Sequence, residues 1–240
     1  MVVMAVPEPT GVGVIVPYDM ALDRELWRWT PEDVTLYFTR TPYADLEVNE
    51  QMARTVSEPG MLAGATRELT TVEPAAVLYA CTSGSFIDGV TGEARLVEAM
   101  ESAGAAHGVT TSGALLAALD HLGVSDVAVA TPYDATVTER LHDFLAEAGA
   151  QVVSGAHLGL SREIWKVPDE VTVDLIRRAD SDAATAVFVS CTNLPTYDVI
   201  ASLEAELGKP VLTANQVSMW SVLRQVGRQA VGSGQRLIES

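Results

Sequence analysis

The sequence predicts an α/β protein made of two similar parallel-sheet lobes, with a site in the cleft between them. Three observations lead there. Short, wholly apolar β-branched runs alternate with stretches of helical period; the runs come in two matching sets; and no Pro/Gly/Ser-rich stretch marks a flexible linker between the sets. Strands apolar on both faces belong to parallel sheets covered by helices on either side. A chain of 240 residues lies between one large domain and two small ones at roughly 150 residues per domain.

Taken in order, strands are expected over residues 12–16, 76–80, 127–130 and 186–190. Helices are expected over residues 93–103, 136–148, 197–207 and 218–229, with residues 88–92 and 232–234 as loop or tail. The first strand and its loop, Val-Gly-Val-Ile-Val-Pro-Tyr-Asp at residues 12–19, recur as Val-Ala-Val-Ala-Thr-Pro-Tyr-Asp at 127–134. Ala-Val-Leu-Tyr-Ala-Cys-Thr at 76–82 recurs as Ala-Val-Phe-Val-Ser-Cys-Thr at 186–192, and the segment before Ala114 has a looser echo before Val217. Three matches in one order argue for a duplicated unit. The lobes are placed at residues 1–115 and 116–215, with residues 216–240 packing back on the first.

Charge and composition exclude several classes of function. Lys+Arg 15 against Asp+Glu 32 gives a net charge of -17, a field that repels a phosphate backbone, so no nucleic-acid partner is expected. No apolar run reaches the roughly 18–20 residues of a membrane-spanning helix. The first ten residues carry neither a basic n-region nor a small-residue cleavage site, and the expected compartment is the cytoplasm. Two cysteines and four scattered histidines supply no metal-ligand spacing, and Gly11-x-Gly13 precedes its strand without a third glycine, so neither a metal nor a dinucleotide cofactor is expected.

The chemistry then falls to Cys81 and Cys191. Both end a strand, where open parallel sheets bind ligands, and each precedes a threonine and a turn-prone residue. Buried core cysteines and a disulfide are the alternatives, the latter disfavoured in a reducing compartment. A thiol at a helix N-terminus is stabilised as thiolate by the dipole and by amide donors. Two such thiols facing one cleft suit proton traffic: one takes a proton or attacks carbon while the other protonates the opposite face. Thr82, Ser83, Ser85 and Thr192 can hold a carboxylate and its enediolate form. Lys166 and Lys209 are the only lysines, and no arginine adjoins either Cys-Thr pair, so an anion there is held by hydrogen bonds. Tyr18 and Tyr133 either add a phenolic donor from each half or form an aromatic lid on a Pro-led turn. Trp27, Trp29 and Tyr37 are read as packing residues, and Trp220 as core.

Cys81-Thr82-Ser83-Gly84-Ser85-Phe86, Ala130-Thr131-Pro132-Tyr133 with Thr138-Glu139-Arg140-Leu141, and Ser190-Cys191-Thr192-Asn193-Leu194 resemble the Asp/Glu racemase superfamily. The likeness is greatest to the branch holding maleate cis-trans isomerases and arylmalonate decarboxylases, and it runs from about Gly11 to Gly227. It implies two α/β lobes enclosing the site. Isomerases and racemases of that family carry both cysteines, while the decarboxylases keep only the second. The resemblance therefore implies a cofactor-independent isomerase or racemase acting next to a carboxylate. Cys81 would be the attacking or deprotonating thiolate, Cys191 the opposing donor, and Thr82, Ser83 and Tyr133 the carboxylate holders. The full expected site adds Thr192, Asn193, Pro17 and Tyr18 about a small carboxylic acid, with no cofactor or metal; homo-oligomerisation is left open.

Maleate isomerases carry an asparagine in the first loop and another near Ser161, where this chain has Tyr18-Asp19 and Ser161-Arg162, so a pocket of different size or polarity is expected, for an aryl or amino-bearing acid. Arg162 is either a charged carboxylate contact or a solvated residue. The alternatives to an isomerase are an arylmalonate-type decarboxylase using Cys191 alone and a non-catalytic small-acid binding protein.

Overall fold

The computed structural model describes residues 9–240; residues 1–8, the start of the first expected lobe and most of the segment read for an export signal, lie outside the described residues. The first half runs β1 (Thr10–Val16), α1 (Asp23–Trp27), β2 (Val34–Arg40), α2 (Glu50–Val56), α3 (Pro59–Leu69), β3 (Ala76–Tyr79), α4 (Thr82–Phe86), α5 (Gly89–Ser102), β4 (Gly108–Thr110) and α6 (Thr111–Leu122). The second runs β5 (Asp126–Thr131), α7 (Ala135–Glu147), β6 (Gln151–His157), α8 (Asp169–Ala179), β7 (Ala186–Val189), α9 (Ile200–Leu207), β8 (Val211–Thr213), α10 (Ala214–Gln225) and α11 (Arg236–Glu239). Among the described residues no helix is long and apolar enough to cross a membrane.

Two four-stranded sheets result, ordered β2-β1-β3-β4 and β6-β5-β7-β8, and every pairing is parallel. The duplication extends to register. Val12 lies opposite Ala76 and Ile15 opposite Tyr79 in one sheet; Val127 lies opposite Ala186 and Ala130 opposite Val189 in the other. The helices after β4 and β8 also begin alike, with Thr110 and Thr213 in extended conformation, each hydroxyl accepting from the third amide of its helix. The four central strands are the apolar runs of the sequence and are almost wholly buried, as strands covered on both faces must be.

Several boundaries differ from expectation. Residues 88–92, read as loop, supply the N-terminal turn of α5; packing of α5 against α3, α4 and α7 outweighs the low helix propensity of Gly89 and Gly92. Helix α9 starts at Ile200 rather than 197, because the Thr196 and Tyr197 amides bond to Glu25 instead of opening a helix. Helix α10 starts at Ala214, four residues earlier than read, where Thr213 and Gln216 form a capping box.

The two halves pack closely. Helix α6 lies along α10, its counterpart, with Ser218 donating to Thr111 Oγ1 at 2.9 Å; α7 packs on α4 and α5; and Phe86 meets Tyr133 edge-on at 6.4 Å. The C-terminal segment bridges the halves: Gln235 Oε1 accepts from Trp29 Nε1, just beyond α1, at 2.8 Å and from Gln216 Nε2 on α10 at 2.9 Å. Trp29 is wholly buried and Trp220 nearly so, as packing residues should be, whereas Trp27 is 42% exposed and rests its ring near Phe38. Trp29→Ala should therefore lower unfolding free energy by about 3–5 kcal/mol, by removing a large buried side chain and the donor of a buried hydrogen bond, a loss measurable by urea titration.

Candidate active site

In each sheet the chain leaves its first central strand toward one edge and its second toward the other, so β1/β3 and β5/β7 are switch points, and the loops beyond their carboxyl ends diverge around a crevice. The four repeated loops stand there. Of the nine expected site residues, eight line one cavity: Pro17, Cys81, Thr82 and Ser83 from the first half, and Tyr133, Cys191, Thr192 and Asn193 from the second. Both cysteines are free thiols. The cavity holds about 30 Å³, against roughly 10–15 Å³ for one water, so a substrate enters only if the walls move.

The roof is apolar and comes from both halves: Val48 and Met52 on one side, Ile164 on the other. Val48 donates its amide to the Ser161 carbonyl at 2.8 Å, and Glu47 pairs with Arg162 at 2.8 Å. Arg162 thus points its charge along the surface. Tyr18, the ninth expected residue, does not line the cavity. Its hydroxyl donates to the Leu46 carbonyl at 3.1 Å and its ring packs edge-on against Tyr43, so it braces the segment leading into the roof. Ser85 also departs from expectation: its hydroxyl is committed to the Cys81 and Thr82 carbonyls and to Ser112, which anchors α4 from beneath.

The two thiols have unlike local structures. Cys81 is the N-cap of α4 in extended conformation. Cys191 precedes a turn rather than a helix, contrary to expectation, and its φ of 91° is a strained value for a residue with a β-carbon. Asn193 donates its amide to Cys191 Sγ at 3.4 Å. Its side chain is occupied elsewhere, accepting from the Ala21 amide at 2.9 Å and donating to the Asp19 carbonyl at 3.0 Å. Asn193 therefore ties the second cysteine loop to the first repeated loop. Thr82 Oγ1 is buried with no hydrogen-bond partner among the described residues and stands in the cavity wall, a donor for an incoming anion.

Burial, not the helix dipole, dominates the thiols. It pushes Cys81 up to about 11, although the Tyr79 hydroxyl, the Gly84 amide and Ser83 pull the other way. It pushes Cys191 up to about 12 against the Asn193 amide and the Tyr133 hydroxyl, and the Asp19 carboxylate raises both. The expectation of resting thiolates is thus overturned: taking a sulfur anion out of water costs more than two or three donors return. Asp19 is, among the described residues, the one charged side chain lining the cavity, and its own pKa is raised by burial.

Sequence reasoning missed Tyr79 and the three apolar lining residues, whereas Asp19, read as altering the pocket, does line it. Tyr79 had left a signal, a phenol in an otherwise apolar strand two residues before a cysteine. Its hydroxyl donates to the Val56 carbonyl at 2.6 Å beside Cys81, and a β-carbon on Gly84 would overlap it. The roof residues left none, since valine, methionine and isoleucine at loop edges look like any other packing residues.

Comparison with known proteins agrees with this architecture. The chain is 37% identical over 153 residues to an arylmalonate decarboxylase from Bordetella bronchiseptica, a match spanning 61% of this chain and 62% of that protein. It is 28% identical over 205 residues to a maleate isomerase from Nocardia farcinica, spanning 78% of this chain and 81% of the relative. A liganded crystal structure of an arylmalonate decarboxylase double mutant superposes with a TM-score of 0.87 at 30% identity, covering 96% of this chain and all of that one. The arylmalonate decarboxylase family model matches residues 43–238, and the chain belongs to that family.

Proposed function

We propose that this protein is a cofactor-independent isomerase or racemase acting on carbon next to a carboxylate, with Cys81 and Cys191 as its two acid–base or nucleophilic groups. The observation that carries this reading is that both thiols, each at the end of the equivalent strand of its own half, line one small cavity. Resemblance to maleate isomerase supports it. A substrate carboxylate would accept from Thr82 Oγ1, Ser83 and the loop amides. One sulfur then gives up its proton to the Asp19 carboxylate or to solvent, and the thiolate either removes the α-proton or adds to a double bond. In the first case the enediolate takes a proton from the other thiol on the opposite face, inverting the centre. In the second, the adduct rotates about the new single bond and expels the thiolate. Asp19 disfavours a second carboxylate and suits a neutral or amino-bearing substituent.

The higher identity to an arylmalonate decarboxylase favours a second reading, in which carbon dioxide loss forms the enediolate and Cys191 alone protonates it.

A panel of dicarboxylates and α-substituted acids in deuterated water, followed by NMR, separates the two. Exchange or isomerisation without carbon dioxide release, abolished by Cys81→Ala and by Cys191→Ala, is the expected result. Carbon dioxide release that survives Cys81→Ala would establish the second reading instead.

Because both thiols titrate high, the thiolate fraction grows as pH rises and is negligible below neutrality. Iodoacetamide labelling mapped by mass spectrometry should still be accelerating at pH 9–10, where an ordinary thiol of pKa about 8.5 has levelled off. Asp19→Asn removes a negative charge that raises both, and should shift both labelling profiles to lower pH.

A further inference from the structure

Glu25 lies on α1, in the first half, yet its carboxyl is buried against the second. It is 8% exposed, and its Oε1 accepts three bonds from the loop that follows Cys191: from the Thr196 hydroxyl at 2.8 Å, the Tyr197 amide at 3.1 Å and the Thr196 amide at 3.2 Å. Behind that loop, Asn215 on α10 donates to the Thr192 carbonyl at 2.9 Å, and its side chain also lies within hydrogen-bonding reach of Glu25. The segment from Cys191 to Val199 has no helix or strand of its own. Its course is set from outside, by Glu25, Arg28, Asn215 and the Asn193 clasp, and it begins at a residue with φ of 91° that relaxes unless held.

We propose that Glu25 is a positioning residue: its ionised carboxylate, reaching across from the first half, gathers the donors of the Thr196–Tyr197 turn and so fixes where Cys191 stands in the cleft. Hydrogen bonds to a carboxylate are about twice as strong as those to a neutral acid, so a proton on Glu25 loosens the loop. Burial raises the Glu25 pKa from 4.5 to about 7 while the donors lower it, which brings this change to neutral pH. The charged and titratable groups around it do not cancel the effect. Arg28 is held by Asp198 through two bonds of 2.6 and 2.7 Å and stacks on Tyr197, while Arg24 and Asp169 line the more open side of the same recess.

The two consequences of this titration run in opposite directions. A carboxyl with a raised pKa favours the folded state most below pH 4.5, and that contribution disappears as pH climbs through about 7. Loop order grows over the same interval where the loop opens with α1 still packed, because the carboxyl then keeps its burial and loses the donors that lower its pKa. An ordinary structural carboxyl would move both together.

Hydrogen exchange of the whole protein tests the proposal without a substrate. Corrected for intrinsic rate, protection of the Thr196 and Tyr197 amides should rise at least tenfold between pH 5.5 and 8.5, with β1 amides unchanged. In Glu25→Gln, protection at these amides should stay low and independent of pH. The Tm of the wild type relative to that of Glu25→Gln should fall as pH rises through about 7. Equal wild-type protection at both pH values, or wild-type protection in Glu25→Gln, overturns the proposal; should that variant fail to fold, the wild-type profile alone decides. The further consequence rests on the proposed activity: on a substrate the wild type turns over, Glu25→Gln should lower kcat far more than it changes KM. If no acid is turned over, the exchange result still stands and only the activity reading falls.

Discussion

The cost of placing a sulfur anion in a narrow, largely buried cavity that no lysine or arginine lines is the constraint on which the rest of the site depends. Both thiols are protonated at rest, and the nearest formal charge, on Asp19, raises them further. Any anion formed there, thiolate or enediolate, must be held by oriented neutral donors. The structure supplies them in pairs: the Gly84 amide and the Ser83 hydroxyl at Cys81, Tyr133 and the Asn193 amide at Cys191. Such donors contribute far more in a dry site than in water, so closing the cavity and stabilising the anion are one requirement rather than two.

Duplication explains where these groups stand, and departures from it explain what each half does. Matching register brings Cys81 and Cys191 to equivalent ends of β3 and β7. Beyond that point the halves diverge. One cysteine caps a helix whose first turn is anchored by Ser85 and Ser112; the other opens a turn held from the opposite half. A two-fold arrangement with unequal arms is suited to a reaction in which one sulfur acts first and the other answers.

The central strands and their loops were legible because they are periodic and repeated: apolar runs ending in Pro-Tyr-Asp or Cys-Thr can hardly be read otherwise. The outer strands were not. β4 and β8 are three residues each, too short for a pattern, while β6 carries glutamine, serine and histidine on partly exposed faces. Among site residues, those within the repeated motifs were legible. Asn193 was found, but the occupation of its side chain was not, since that depends on Asp19 and Ala21 more than 170 positions away in sequence. Glu25 and the roof residues depend on the same long-range docking, which no local pattern encodes.

That docking also indicates which part of the site can move. At the second cysteine loop, Asn193 in the cavity wall and Glu25 behind the loop are buried, with bonds of about 0.5–1.5 kcal/mol each that leave unmet polar groups if broken. The roof is tied by one backbone bond and by two solvent-exposed ion pairs, Glu47–Arg162 and Glu50–Arg140, which contribute little. A cavity of about 30 Å³ must widen to admit an acid, and the less costly separation is at Val48 and Ser161 rather than at the cysteine loops. The reacting sulfurs can then keep their places while the apolar cover parts and closes again, returning the anion to a dry site.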